Sequence, residues 1–337
     1  MGILRRCAGM RIRGLVPAAR RSLLIAAALC CAVATSTATA QSWPTQPIRL
    51  IIPFAAGGAT DVMARALGEH LGSQIGQPVI AENRPGASAG IAAALVARSA
   101  PNGYTVLVGS ATIASALAAR ATQSFDLFGD FDFIGKVGWF DLIVVTTPQT
   151  GLNSLGDLVN RMRTQPGRVQ FGSPGVGAPA HLGGELLKQL VRADALHVPY
   201  PGEAPALADV LGGRLTFQLC STTSCLPRIQ DGSLRALAVA SRARSSLAPQ
   251  IPTGAEAGVP GFEADSWNFL AVARGTPSAV VSRLNAALNS ALADPAFRTR
   301  MRSIGAELET ETSPEKLRAQ LLAEVEKWRP LAATTAN

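Results

Sequence analysis

The chain has 337 residues, of which 47% are hydrophobic and 16% charged, and this exceeds the usual ~100–150 residues of a single-core domain, so two cores are expected. Its formal charge of +8 is concentrated at the N-terminus, where residues 1–40 carry six arginines and no acid. Without them 25 basic residues face 23 acids, and a net charge of about +2 excludes the electrostatic footprint of a nucleic-acid binder.

Those forty residues read as a leader. The apolar run from Leu23 to Ala34 is too short to span a bilayer, and the small-residue exit Ala38-Thr39-Ala40 places the mature start at Gln41. The pair Arg20-Arg21 leaves general secretion and the twin-arginine route both open, and either ends outside the cytoplasm, in the periplasm. Cys30 and Cys31 follow Leu29 and Cys30 rather than a small residue, which favours a soluble product over a lipoprotein.

Beyond the leader, short apolar runs alternate with Ala-rich helical runs, the pattern of an α/β protein with largely parallel sheets. The first predicted strand, Ile48–Phe54, runs into Pro53-Phe54-Ala55-Ala56-Gly57-Gly58-Ala59-Thr60-Asp61 and then a helix. Val62, Ala66, Leu67 and His70 share one face of that helix, with Thr60 or Asp61 as its cap. Backbone amides at such a turn converge on a point that suits an anion, although a tight strand-to-helix turn explains the pattern equally well. No Gly-Lys-Ser/Thr follows, so it is not a phosphate-binding Walker loop.

Further strands are predicted over Tyr104–Gly109, Leu142–Thr146, Val169–Gly172, Leu196–Tyr200, Leu215–Leu219, Leu234–Ala240 and Phe269–Ala273. The fourth of the eight leads into a second glycine-rich loop, Gly172-Ser173-Pro174-Gly175-Val176-Gly177-Ala178-Pro179-Ala180-His181, ahead of the helical run Leu182–Leu190. Gly175-x-Gly177-x-x-Ala180 is a loose dinucleotide fingerprint, but the next strand ends His197-Val198-Pro199-Tyr200 without the acid that would hold a ribose, so no cofactor is expected. The last helix has Ser313 as a cap, Pro314 in its first turn and Leu317, Leu321, Val325 and Trp328 on one packing face.

Catalytic signals are weak. Ser110 and Ser173 each follow a glycine, but neither sits in Gly-x-Ser-x-Gly, and no metal-ligand spacing is present. His70 and His197 read as packed residues, and His181 is divided between helix-start packing and ligand contact. Cys220 and Cys225 are the two cysteines beyond the leader; an oxidising compartment permits a bridge, and spacing alone does not decide it.

The loops and several further motifs in the same order resemble the tripartite tricarboxylate transporter substrate receptors, the Bug-type receptors. The motifs are Pro53-Phe54 with Gly57-Gly58 and Thr60-Asp61, Glu82-Asn83-Arg84-Pro85-Gly86-Ala87, Ala100-Pro101-Asn102-Gly103-Tyr104, Ala204-Pro205-Ala206-Leu207 and Leu234-Arg235-Ala236-Leu237-Ala238-Val239. The resemblance runs from Trp43 to about Trp328. It implies a type II periplasmic-binding fold, two α/β lobes around a central ligand cleft, with residues 41–142 and 266–337 in a discontinuous first lobe and 143–265 in the second.

It also implies a non-catalytic, monomeric receptor that closes on a small carboxylate and delivers it to the membrane subunits of a tripartite transporter. Ligand contacts carry over onto Phe54, Ala55, Ala56, Gly57, Thr60, Ser110 and Ala111 from the first lobe. From the second lobe they fall on Ser173, Val176, Gly177, Ala178, His181, Tyr200 and Cys220. Val176, Ala178, Ala180 and Cys220 stand where relatives usually carry asparagine, threonine, serine and aspartate, so the expected ligand has an apolar or aromatic body rather than many hydroxyls. A sensor for a membrane signalling protein and an exported enzyme of similar fold are the competing readings.

Overall fold

The computed structural model describes residues 43–118 and 124–335; the leader expected over residues 1–40 lies outside them. The first run of elements is β1 (Ile48–Ile52), α1 (Ala59–Ile75), β2 (Val79–Asn83), α2 (Gly90–Ala97), β3 (Thr105–Ser110) and α3 (Ala111–Ala118). β1 pairs in parallel with both β2 and β3. Four of its five residues are buried, as expected for a parallel strand covered on both faces.

A second parallel group comprises β5 (Gln170–Ser173), β6 (Leu196–Pro199) and β7 (Phe217–Ser221), with β5 between its two neighbours. Its helices are α5 (Pro179–Val191), α6 (Glu203–Leu211) and α7 (Thr222–Gln230); α4 (Leu155–Thr164) precedes the group and β8 (Arg235–Val239) follows it. Between the groups lie two antiparallel strands, β4 (Phe131–Thr146) and β9 (Asp265–Ala273), giving the sheet order β2-β1-β3-β9-β4-β7-β5-β6. The sheet is therefore parallel on its flanks and antiparallel at its centre, where a largely parallel sheet was expected.

β4 changes partners along its length. Phe131–Asp141 pairs with β9, whereas Leu142–Thr146 pairs with β7 and β8. Only the last five of its sixteen residues were legible as a strand, because Gly135 and Gly138 interrupt the apolar alternation upstream. The β4–β9 register slips at these two glycines, which mark bulges. β2 was missed for a different reason: an edge strand buries little, and its Ile80 is 53% exposed.

The C-terminal elements α8 (Ser278–Ala293), α9 (Pro295–Ser303), β10 (Glu307–Leu308) and α10 (Pro314–Thr335) return to the first group. α10 is capped as expected, with the Lys316 N–H donating to Ser313 Oγ at 3.2 Å. Leu317, Leu321, Val325 and Trp328 are buried on its inner face. α1 begins at Ala59 with Gly58 as its N-cap and no side-chain cap, so neither Thr60 nor Asp61 caps it in the expected way. Its most buried stripe is Met63, Leu67, Leu71 and Ile75, displaced from the predicted face because His70 turns to the flank and packs its ring 5.0 Å from that of Phe297 in α9.

β10 pairs antiparallel with β4 at Trp139 and Gly138, and a Cβ on Gly138 would lie 2.1 Å from the Glu307 carbonyl oxygen. Backbone cannot yield as a flexible side chain would, so Gly138→Ala should destabilise the protein by about 1–3 kcal/mol. The check is the urea midpoint at unchanged m-value; a midpoint equal to wild type would show that β10 moves aside without cost.

Candidate functional site

The C-terminal ends of β1, β3, β5 and β7 meet around one small cavity, the position that open α/β sheets reserve for ligands. Its volume is about 40 Å³, room for more than a single water. Helix starts surround it. Gly58, Ala59 and Thr60 come from α1, Thr112 from α3, Pro179 and Ala180 from α5, Glu203 from α6, and Ser221 from the residue before α7. First-turn N–H groups have no intrahelical acceptor, and five such starts direct partial positive charge inward. Phe54, Phe140, Leu142, Leu219 and Pro174 supply apolar walls. Phe140 and Leu142 share a face of β4 at the point where that strand changes partners.

The loop between β1 and α1 is held by a polar hub. Asp61 accepts hydrogen bonds from the Gly57 N–H (3.0 Å), Arg65 Nε (3.0 Å) and Asn83 Nδ2 (2.8 Å). Asn83 Nδ2 also donates to the Phe54 carbonyl at 2.9 Å, so the edge strand β2 fixes both ends of the loop. Burial raises the Asp61 pKa, but Arg65, the Gly57 amide and Asn83 outweigh it and leave the carboxyl below its ordinary value. On the inner side Asn268 of β9 donates from Nδ2 to Thr60 Oγ1 (3.2 Å) and to the Gly109 carbonyl (3.1 Å).

The loop between β5 and α5 has its own network. Ser173 Oγ lies 2.6 Å from His197 Nε2 and accepts the Gly175 N–H at 3.2 Å. The Gly177 N–H donates to His181 Nδ1 at 3.0 Å. Gly177 has φ +80°, and a Cβ there would stand 2.8 Å from Ala116 Cα, so only glycine lets this loop close against α3. Ser115 Oγ donates to the Gly177 carbonyl (2.5 Å) and Ser88 Oγ to the Val176 carbonyl (2.6 Å). Ser88 sits with Ala87 and Ala89 in three consecutive left-handed conformations, a strained turn that reaches the opposite loop.

His181 and His197 lie with ring centroids 4.0 Å apart. Burial, with the Lys188 charge adding to it, lowers the His181 pKa to about 4. Burial, then the neighbouring His181 and Lys188, lowers His197 to about 3. Both rings are neutral at pH 7 and serve the loop's shape.

Of the expected contact residues, Phe54 and Thr60 line the cavity, while Ala55 donates its N–H to the Pro201 carbonyl at 3.4 Å. Ala56 and Gly57 are exposed, and Ala111 is buried behind Thr112, which reaches the cavity instead. Ser110 is 1% exposed and its hydroxyl has no hydrogen-bond partner among the described residues. Ser173, Gly177, Ala178 and His181 shape the second loop without lining the cavity. Val176 and Tyr200 border an outer recess of about 300 Å³, with the Tyr200 hydroxyl donating to Asp209 Oδ2 at 2.6 Å.

Cys220 is wholly buried with Ile143, Val145, Leu207 and Cys225. Strand alternation turns Leu219 and Ser221 toward the cavity and Cys220 to the other face. The two thiols are unbridged; Cys225 Sγ donates to the Ser221 carbonyl at 3.0 Å, and burial pushes the Cys220 thiol well above its usual value.

The sequence reading passed over Glu203, Asn83, Asn268 and Thr112. Asn83 was noted only as part of a motif, and Glu203, at a helix start after Pro201-Gly202, looks like an ordinary first-turn acid. Glu203 in fact reaches the cavity. It accepts the Ser221 N–H, Ser221 Oγ–H (2.8 Å), Ser224 Oγ–H (2.9 Å) and, more distantly, the Ala59 N–H (3.4 Å).

The model of the tripartite tricarboxylate transporter family receptor matches residues 63–335. Protein BugT of Bordetella pertussis is 35% identical over 299 residues, covering 88% of this chain and 91% of BugT. Among solved structures, R. palustris Rpa4515 with adipate superposes with a TM-score of 0.83 at 32% identity, over 87% of this chain and 98% of its own. MatC (Rpa3494) from Rhodopseudomonas palustris with bound malate gives 0.80 at 28% identity, over 86% and 100%.

The buried imidazoles predict a pH response. Below its ordinary pKa of 6.5 the unfolded chain protonates His181, whereas the folded chain resists until about 4, so stability is lost as pH falls from about 6.5 toward 4. His181→Asn keeps an acceptor for the Gly177 N–H and cannot charge. The expected result is a smaller fall in Tm between pH 7 and 4.5 than wild type shows; equal falls would mean that His181 does not contribute.

Proposed function

The chain belongs to the tripartite tricarboxylate transporter receptor family and has the fold of its periplasmic solute-binding proteins, and from that premise we propose that it is a non-catalytic periplasmic receptor for a small carboxylate with an apolar body. The observation that carries the reading is the cavity: helix-start residues and hydroxyls together with apolar walls, and no lysine, arginine or histidine among the described residues that line it. A carboxylate there is held by peptide N–H and hydroxyl donors, as helix starts hold anions generally. The apolar-body argument rests on Phe54, Phe140, Leu142 and Leu219, because of the four departures that first suggested it only Ala180 reaches the cavity.

Residues 41–142 with 266–337 form the first lobe in this reading, and 143–265 the second. It is supported by the change of β4 partners between Asp141 and Leu142 and by contacts at the cavity mouth that join the two groups, Ser88 to Val176 and Ser115 to Gly177. Ligand enters as these contacts part and is enclosed when they re-form, the hinge mechanics common to such receptors. The receptor acts as a monomer, exported by a cleavable leader, and hands its ligand to transporter membrane subunits.

Titration calorimetry and thermal shift of the purified protein test the reading. Aliphatic or aromatic monocarboxylates should raise Tm with concentration, with no turnover, and tartrate should not; a response to tartrate alone would overturn the apolar body. Ser110→Ala supplies a second check. Removing a buried, unpaired hydroxyl should leave the ligand-free Tm unchanged or higher, while losing a ligand hydrogen bond should weaken carboxylate binding by about 5–20-fold. Unchanged affinity would remove Ser110 from the binding set.

A further inference from the structure

Glu203 is not required by anything in the carboxylate reading, yet it occupies one wall of the cavity. All four of its neighbours are donors: the Ser221 N–H, two serine hydroxyls and the Ala59 N–H. A donor-only environment suits a carboxylate, whose oxygens only accept. Neutral donors stabilise its charge but do not cancel it, and none of the described lining residues is cationic.

We infer that Glu203 determines the charge of the ligand, admitting an acid that carries one negative charge and discriminating against dicarboxylates. This rests on the carboxylate reading and deepens it. The first carboxylate of a ligand can share the helix-start amides at α1, where Glu203 itself reaches only a distant 3.4 Å contact with Ala59. A second carboxylate finds no cation among the described lining residues of a cavity of about 40 Å³ and is brought close to Glu203. Like charges brought together in a desolvated site oppose binding, a repulsive device of the kind specificity requires. The walls offered to the remainder of the ligand, Phe140, Leu142 and Leu219, compensate an alkyl chain and not a charge.

The experiment compares three acids of matched length, hexanoate, monomethyl adipate and adipate, by titration calorimetry at pH 7 against wild type and Glu203→Gln. The glutamine keeps an acceptor for the Ser221 N–H, and the serine hydroxyls can rotate to accept from its amide. Wild type should bind monomethyl adipate about tenfold or more tighter than adipate, and Glu203→Gln should narrow that ratio mainly by gaining adipate affinity. Adipate binding wild type as tightly as its monomethyl ester overturns the inference, and so does an unchanged ratio in a variant whose Tm matches wild type. Should the variant fail to fold, the wild-type ratio decides alone. Wild-type binding in the wrong order defeats only the role of Glu203, whereas no binding of any of the three acids defeats the carboxylate reading and this inference together.

Discussion

A sixteen-residue strand that pairs with β9 over one part of its length and with β7 and β8 over the rest has to keep both groups of parallel strands in register at once. β4 meets that constraint with two glycine bulges upstream and, downstream, a regular antiparallel ladder to β7 beside a register shift against β8 between Val144 and Val145. Its change of partner brings the ends of β1, β3, β5 and β7 toward one another. Without that alignment the starts of α1, α3, α5, α6 and α7 would not face one cavity, and their partial charges would not add at a single point.

Convergence alone would leave flexible loops around the cavity, and small polar networks remove that freedom. Asp61, Asn83 and Arg65 join the first loop to the edge strand, and Asn268 joins the same helix start to the centre of the sheet. Ser173 and His181 do the equivalent for the second loop by accepting from its peptide N–H groups, and His197 holds the Ser173 hydroxyl. Asp61, Asn268, Ser173 and His181 in these networks are buried, where a lost partner leaves an uncompensated group costing about 1–3 kcal/mol. They hold the binding surface at fixed geometry before ligand arrives, which lowers the ordering cost of capture.

The electrostatics of the cavity follow from the same economy of parts. Peptide N–H groups and hydroxyls provide diffuse positive potential with no cationic side chain among the described lining residues, and the Glu203 carboxyl occupies one wall. Apolar walls from β4 and β7 then favour a hydrocarbon body. In the proposed reading, a receptor organised in this way distinguishes ligands by how many charges they carry and by what lies beyond the first carboxylate, rather than by matching many polar groups.

The α/β class, the two glycine-rich loops, the capped last helix and the resemblance to a receptor family were all legible in the sequence, because each depends on local periodicity, turn residues or short motifs. Strand alternation hid part of the rest: whether Cys220 or its neighbours Leu219 and Ser221 face the cavity depends on which side of β7 is packed, and that is a tertiary fact. The upstream half of β4 was concealed because bulges break the pattern by which strands are recognised. Asn83, Asn268 and Glu203 could not be assigned because their partners lie 29, 159 and 18 residues away along the chain. A sequence specifies the hydrogen-bonding capacity of such side chains, but only folding decides which backbone groups and which cavity they meet.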